Sequence, residues 1–151
     1  MLAKFAAMAR SDTSTGRVLF QKTCGGCHRL FELGGQIGPE LTGANRGDMN
    51  YLLGNILTPS EVIQDAYRMS LVLTTEGRLY SGILAGESER HIELRVVGES
   101  DPVIIPKSTI ASREVAPVSM MPDGILHDLT DANVLDLIKY LQAPQQVPLK
   151  E

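Results

Sequence analysis

The chain has 151 residues with 14 basic and 18 acidic side chains and a formal charge of −4, so there is no basic excess to neutralise phosphates and nucleic acid is not the expected partner. Its length suits one ordinary domain, or a small domain with an elaboration, able to bury a core of its own. No stretch is apolar for long enough to cross a bilayer.

Met1 to Arg10 carries Leu2, Phe5 and Met8 with one lysine and no small-residue cleavage pattern behind it, so it reads as a linker or helical stub and not as a signal peptide. Thr13 and Ser14 offer caps to a helix running through Gly16 to Lys22, with Val18, Leu19 and Phe20 facing the interior. That helix delivers Cys24-Gly25-Gly26-Cys27-His28. Two thiols three positions apart, followed at once by an imidazole, match the attachment site of a c-type haem. Each thiol can add to a vinyl group of the porphyrin while His28 turns a ring nitrogen onto the iron as proximal ligand.

Three other readings of these residues compete. A structural zinc site needs four ligands, and beyond the two cysteines the chain offers only His28, His91 and His127, without the spacing of a second ligand pair. A redox CxxC wants a βαβ setting, which is not evident. A disulfide or free thiols would leave the adjoining His28 unexplained. With three Phe, four Tyr and no Trp, a large flat apolar cofactor would supply packing surface that the side chains do not.

After His28 the chain is loop-like, its turns set by Gly34, Gly35, Gly38 and Pro39. Asp48 caps a helix over Tyr51 to Leu57, stopped by Pro59, and Ser60 to Ile63 begin a further short turn. From Tyr67 the period changes from helical to alternating. Met69–Thr74, Leu79–Leu84, Ile92–Val96, Val103–Ile105 and Ile110–Val115 read as five short strands, with Glu76-Gly77 turning the first hairpin. An antiparallel meander of this size suggests a small barrel of the SH3-like or Sm-like kind. Its basic residues Arg78, Arg90, Arg95, Lys107 and Arg113 are scattered among acids, so RNA binding ranks low. Thr130-Asp131 caps a last helix whose Val134, Leu137, Ile138 and Leu141 share one face, and Pro144 ends it.

Several motifs now fall in order: Gly16 through Phe20 to CGGCH, Gly38-Pro39-Glu40-Leu41, Leu57-Thr58-Pro59-Ser60, the Thr75-Glu76-Gly77-Arg78 hairpin, Ser119-Met120-Met121-Pro122 and a closing helix with Tyr140-Leu141. Together, from about Thr13 to Ala143, they resemble the class I c-type cytochromes and, more narrowly, the planctomycete-type haem-binding domain found as a C-terminal module of large exported proteins. The resemblance implies an α+β fold: a cytochrome c-like helical haem domain with a small antiparallel β-barrel inserted before the distal methionine loop. Its divisions would be a stub or linker over 1–12, the first part of the haem domain over 13–66, the inserted barrel over 67–118, the distal loop and closing helix over 119–143, and a flexible tail over 144–151.

It also implies roles. Cys24 and Cys27 would hold one haem c covalently and His28 would ligate its iron. Pro39 would pack beside the imidazole and accept its other N–H. The family places the distal ligand just before a proline, which selects Met121, with Met120 as packing. Leu41 would lie against the haem, and Arg46 and Tyr51, from the segment after the GPEL loop, would meet its propionates. Met49 and Met69 are expected in the core, and His91 and His127 away from the iron. Covalent haem attachment happens outside the cytoplasm in bacteria, so the chain is expected to be periplasmic or otherwise exported, as a piece of a larger protein or under a leader absent here.

With both axial positions filled, the expected function is outer-sphere transfer of single electrons to or from a redox partner protein or a neighbouring dehydrogenase domain, not enzymatic catalysis. A gas (CO or NO) sensor or weak peroxidase with a labile Met121 is the second reading, and a haem-free interaction module the third. The barrel would set the exit direction of the Met121 loop.

Overall fold

A computed structural model describes residues 10–150; residues 1–9 of the expected N-terminal stub lie outside them. Three α-helices are found among these residues: α1 (Thr13–Thr23), α2 (Met49–Leu57) and α3 (Asp131–Leu141). Between α1 and α2 lie two short strands, β1 (Arg29–Leu30) and β2 (Leu33–Gly34). Between α2 and α3 come β3 (Met69–Thr74), β4 (Leu79–Glu87), β5 (His91–Arg95), β6 (Val103–Pro106) and β7 (Ile110–Val115). None of the described helices is long and apolar enough to cross a membrane.

Each helix starts on a side-chain cap. Asp12 caps α1, its Oδ1 accepting the Ser14 N–H at 2.9 Å, in place of the Thr13 and Ser14 caps expected. Asp48 caps α2 and Thr130 caps α3. Helices α1 and α3 cross at Gly16, where an added Cβ would sit 2.0 Å from the Asp136 carbonyl oxygen, so only glycine permits this approach. Phe20, one turn on, meets Tyr140 with ring centroids 5.6 Å apart. Phe20, Leu30, Leu52, Ile56, Leu137, Ile138, Tyr140 and Leu141 form the helical core. Val18, expected inside, is exposed, because α1 buries only the side turned to α3.

β1 and β2 form a hairpin in a stretch expected to be loop. Its turn holds Phe31 and Glu32 at φ of 50° and 68°, a region that side chains larger than glycine enter at a cost. Packing of the Phe31 ring, edge-on to Tyr140 at 6.3 Å and beneath the Arg46 guanidinium at 5.0 Å, offsets it.

The five longer strands form one antiparallel sheet in the order β6-β5-β4-β3-β7. In β3 and β5 alternate residues turn inward, and Val72, Ile92, Leu94 and Ile105 make a second core separate from the helical one. The expected fold class, a cytochrome c-like helical domain carrying an inserted barrel, is corrected by this arrangement. The largest element is the five-stranded sheet, which has its own buried core, and it is open, with β6 and β7 as its edges. Between Met69 and Val115 five runs are committed to strands, leaving three α-helices of nine to eleven residues among the described part. Two of the region's cations are paired with one acid: Glu87 meets Lys107 at 2.7 Å and Arg113 at 3.0 Å.

The tail expected to be flexible is tied down along α1. Ser14 Oγ donates to the Pro148 carbonyl at 3.0 Å and accepts the Lys150 N–H at 2.7 Å, and Arg17 donates to the Val147 carbonyl. Lys150 Nζ also pairs with the cap, Asp12. That bond, with the Ser14 N–H and the Thr15 hydroxyl, brings the Asp12 carboxyl from its ordinary 3.8 to about 2. A carboxyl depressed in the folded state adds stability above pH 4, and this is lost as the pH falls toward 2. Lys150→Ala is therefore expected to leave a shallower drop in melting temperature between pH 4 and pH 2 than the wild type shows, read by thermal denaturation across that range.

Candidate functional site

Helix α1 ends at Thr23, and Cys24 is its C-cap. Beyond it the chain keeps turning, with Gly25 N–H donating to Phe20 O at 2.7 Å and Cys27 N–H and His28 N–H both to Cys24 O, at 3.1 and 2.9 Å. The thiols and the imidazole therefore project from one compact turn. Both cysteines are free thiols. Burial pushes the thiol of each above its ordinary range, opposed at Cys24 by a contact with the Thr23 hydroxyl. Redox CxxC motifs depend on a thiolate stabilised at a helix N-terminus. Here the pair sits at a helix C-terminus, where the dipole disfavours negative charge, so the redox reading loses its physical basis.

His28 is fixed from two sides. Its Nδ1 lies 2.8 Å from the Pro39 carbonyl, which can only accept, so Nδ1 carries the proton and the lone pair of Nε2 stays free. The ring also lies against Gly38, where an added Cβ would be 2.5 Å from His28 Cε1. The sequence marked Gly38 as a turn residue and as part of the Gly38-Pro39-Glu40-Leu41 motif; its duty of making room for the imidazole has no local signal.

In front of this ring opens a cavity of about 520 Å³. Cys24, Cys27, His28, Pro39, Leu41, Arg46, Tyr51, Leu52, Ile56, Met120 and Met121 are among the residues that line it. The site residues singled out in the sequence are thus brought to one place. Ile83 of β4 adds a wall from the sheet that sequence reasoning missed, since only the tertiary fold carries β4 there. His91 and His127 do not line it; His91 lies 3.3 Å from Glu93 on β5, and His127 is exposed. Met49 packs on the helical core and Met69 lies in β3.

The cavity wall is mostly apolar, and Glu40 and Arg46 are its only acidic or basic members apart from His28. Arg46, expected at a surface carboxylate, is 9% exposed. Its Nη1 donates to the carbonyls of Leu141 and of Ala143, the latter at 2.8 Å, closing the C-terminal end of α3, and its Nη2 donates to Thr42 O at 3.2 Å. Its Nε is buried with no hydrogen-bond partner. Tyr51, 40% exposed, stands at the rim.

No family model matches the chain, and no curated protein matches it. Among solved structures it is similar to the crystal structure of the pleiotropic translational regulator Hfq, at 18% identity and a TM-score of 0.30, over 48% of this chain and 97% of that one. At so low a score the likeness assigns neither fold nor function. The broad expectation of a metal-binding chain of cytochrome type with an inserted β-barrel is corrected here. The sheet is open, and among the described residues no three His, Cys, Asp or Glu side chains are grouped to hold a metal ion.

Proposed function

We propose that this chain holds one haem covalently through Cys24 and Cys27, with His28 and Met121 as axial ligands, and passes single electrons to and from a redox partner protein. One observation carries the reading: a single apolar cavity gathers both thiols, an imidazole with only its Nε2 free, and the thioethers of Met120 and Met121. The residues present fit such a group. The volume, about 520 Å³, falls among cofactor pockets, which run from about 300 to 1,000 Å³. Arg46 gives the cavity wall its one guanidinium, a cation suited to a carboxylate on the bound group.

When bound, haem supplies a ferric/ferrous couple for one electron. The chain's residues supply the surroundings. Pro39 holds the His28 tautomer and strengthens its Nε2 as a donor. Leu52, Ile56 and Ile83 exclude water from the interior of the cavity, and Tyr51 stands at its exposed rim. His28 and Met121 would both hold the iron, an arrangement that suits a relay in preference to catalysis. Attachment to CxxCH requires export, so the periplasm or an equivalent compartment is the proposed location, and a neighbouring dehydrogenase domain a fitting partner.

Met121→Ala is expected to abolish the near-infrared band between thioether and ferric iron, while Met120→Ala leaves it in place. A wild-type protein lacking that band at neutral pH, with rapid CO binding to the reduced form, would replace the relay with a gas sensor.

A further inference from the structure

Two motifs far apart in the chain, the one following α2 and the one holding the paired methionines, meet in a short polar relay. Pro59 is buried in the cavity wall, and Ser60 beside it is half-buried. Across 59 positions of sequence, the Ser60 hydroxyl accepts the Ser119 N–H at 3.0 Å. The Ser119 hydroxyl then accepts the Met121 N–H at 3.1 Å. Ser119, Met120 and Met121 all line the cavity.

The stretch from 117 to 130 holds no helix or strand. It leaves the sheet at Ala116, whose N–H donates to Met69 O at 2.8 Å, and its bonds at His127 and Leu129 stay within the loop. Apolar contact with the helical core holds the Met121 side chain nearby, but such contact is not directional, whereas hydrogen bonds to the backbone are. Ser60 is therefore the polar tie by which the wall after α2 aims the methionine loop.

We propose that Ser60 is a positioning residue for Met121: acting through Ser119, it sets the direction in which the Met121 thioether enters the cavity and thereby how firmly that sulfur stays on the iron. The last clause rests on the haem reading above; the relay itself does not.

Two measurements on Ser60→Ala, with Ser60→Thr as the variant that keeps the hydroxyl, test it. In amide hydrogen exchange, Ser119 and Met121 are expected to exchange roughly three- to tenfold faster in Ser60→Ala, with the strands of the sheet unchanged and Ser60→Thr close to wild type. In the haem-loaded protein, Ser60→Ala is expected to weaken the near-infrared thioether band and bind CO roughly three- to tenfold faster when reduced, again with recovery in Ser60→Thr. Unchanged exchange at Ser119 and Met121 overturns the relay whatever the spectra show. A band and CO rate equal to wild type in Ser60→Ala overturns the positioning role and leaves the haem reading standing. A wild type without the band sinks Met121 as ligand and the positioning claim with it, while the exchange result still decides the relay.

Discussion

Replacing both thiols, Cys24→Ala with Cys27→Ala, is expected to remove covalent haem completely from protein matured in an export-competent host, so that a haem stain persists on a denaturing gel for the wild type and vanishes for the variant. The chemistry is additive: sulfur and its hydrogen add across a vinyl double bond, nothing leaves, and without sulfur no tether survives denaturant. Either single substitution should keep one tether and part of the stain. The fold should survive, because the two cysteines form no disulfide and are only partly buried, and a free cysteine packs as a small apolar side chain. Unchanged far-ultraviolet circular dichroism would confirm that the loss is chemical and not structural. A stain that persists in the double variant would show that the cysteines are not the attachment points.

Tyr140→Ala is expected to have the largest effect on stability. Tyr140 is 1% exposed, packs tilted against Phe20 and edge-on against Phe31, and donates its hydroxyl to Gln146 at 2.9 Å. Truncating a buried aromatic costs about 3–5 kcal/mol, against a total of about 5–15 kcal/mol for an ordinary domain. Tyr140→Phe keeps the rings and loses only the hydrogen bond, about 0.5–1.5 kcal/mol. Denaturant unfolding of the three proteins in the same state of maturation separates the two contributions. An Ala variant within about 1 kcal/mol of wild type would mean that the α1–α3 crossing is not the centre of the helical core.

Much of this architecture is legible locally. Alternation alone locates β3 and β7 with the bounds observed, and Thr130-Asp131 marks the start of α3. Cys24, Cys27 and His28 announce themselves because their chemistry depends on sequence spacing. What escaped depends on contacts between distant segments. The β1–β2 hairpin has no turn signal in Phe31-Glu32; its left-handed backbone is tolerated because Tyr140 and Arg46 flank the Phe31 ring. The fold class was misjudged because periodicity reports which face of a strand is buried but not whether the sheet closes or has a core of its own. The tail reads as polar and free, yet Ser14 and Arg17, on a helix more than a hundred positions earlier, hold it. Arg46 suggested a surface cation and instead closes the end of α3, with Nε buried and unpartnered. The Ser60–Ser119 bond likewise joins motifs that no local pattern connects.

The central claim is that the two thiols on the turn after α1 are joined to a haem in the cavity before them. Intact mass of the exported, matured protein tests this most directly. The claim predicts the chain plus one haem, with neither cysteine open to alkylation under denaturing conditions. The chain's own 16.4 kDa, with both thiols alkylated in full, would contradict it.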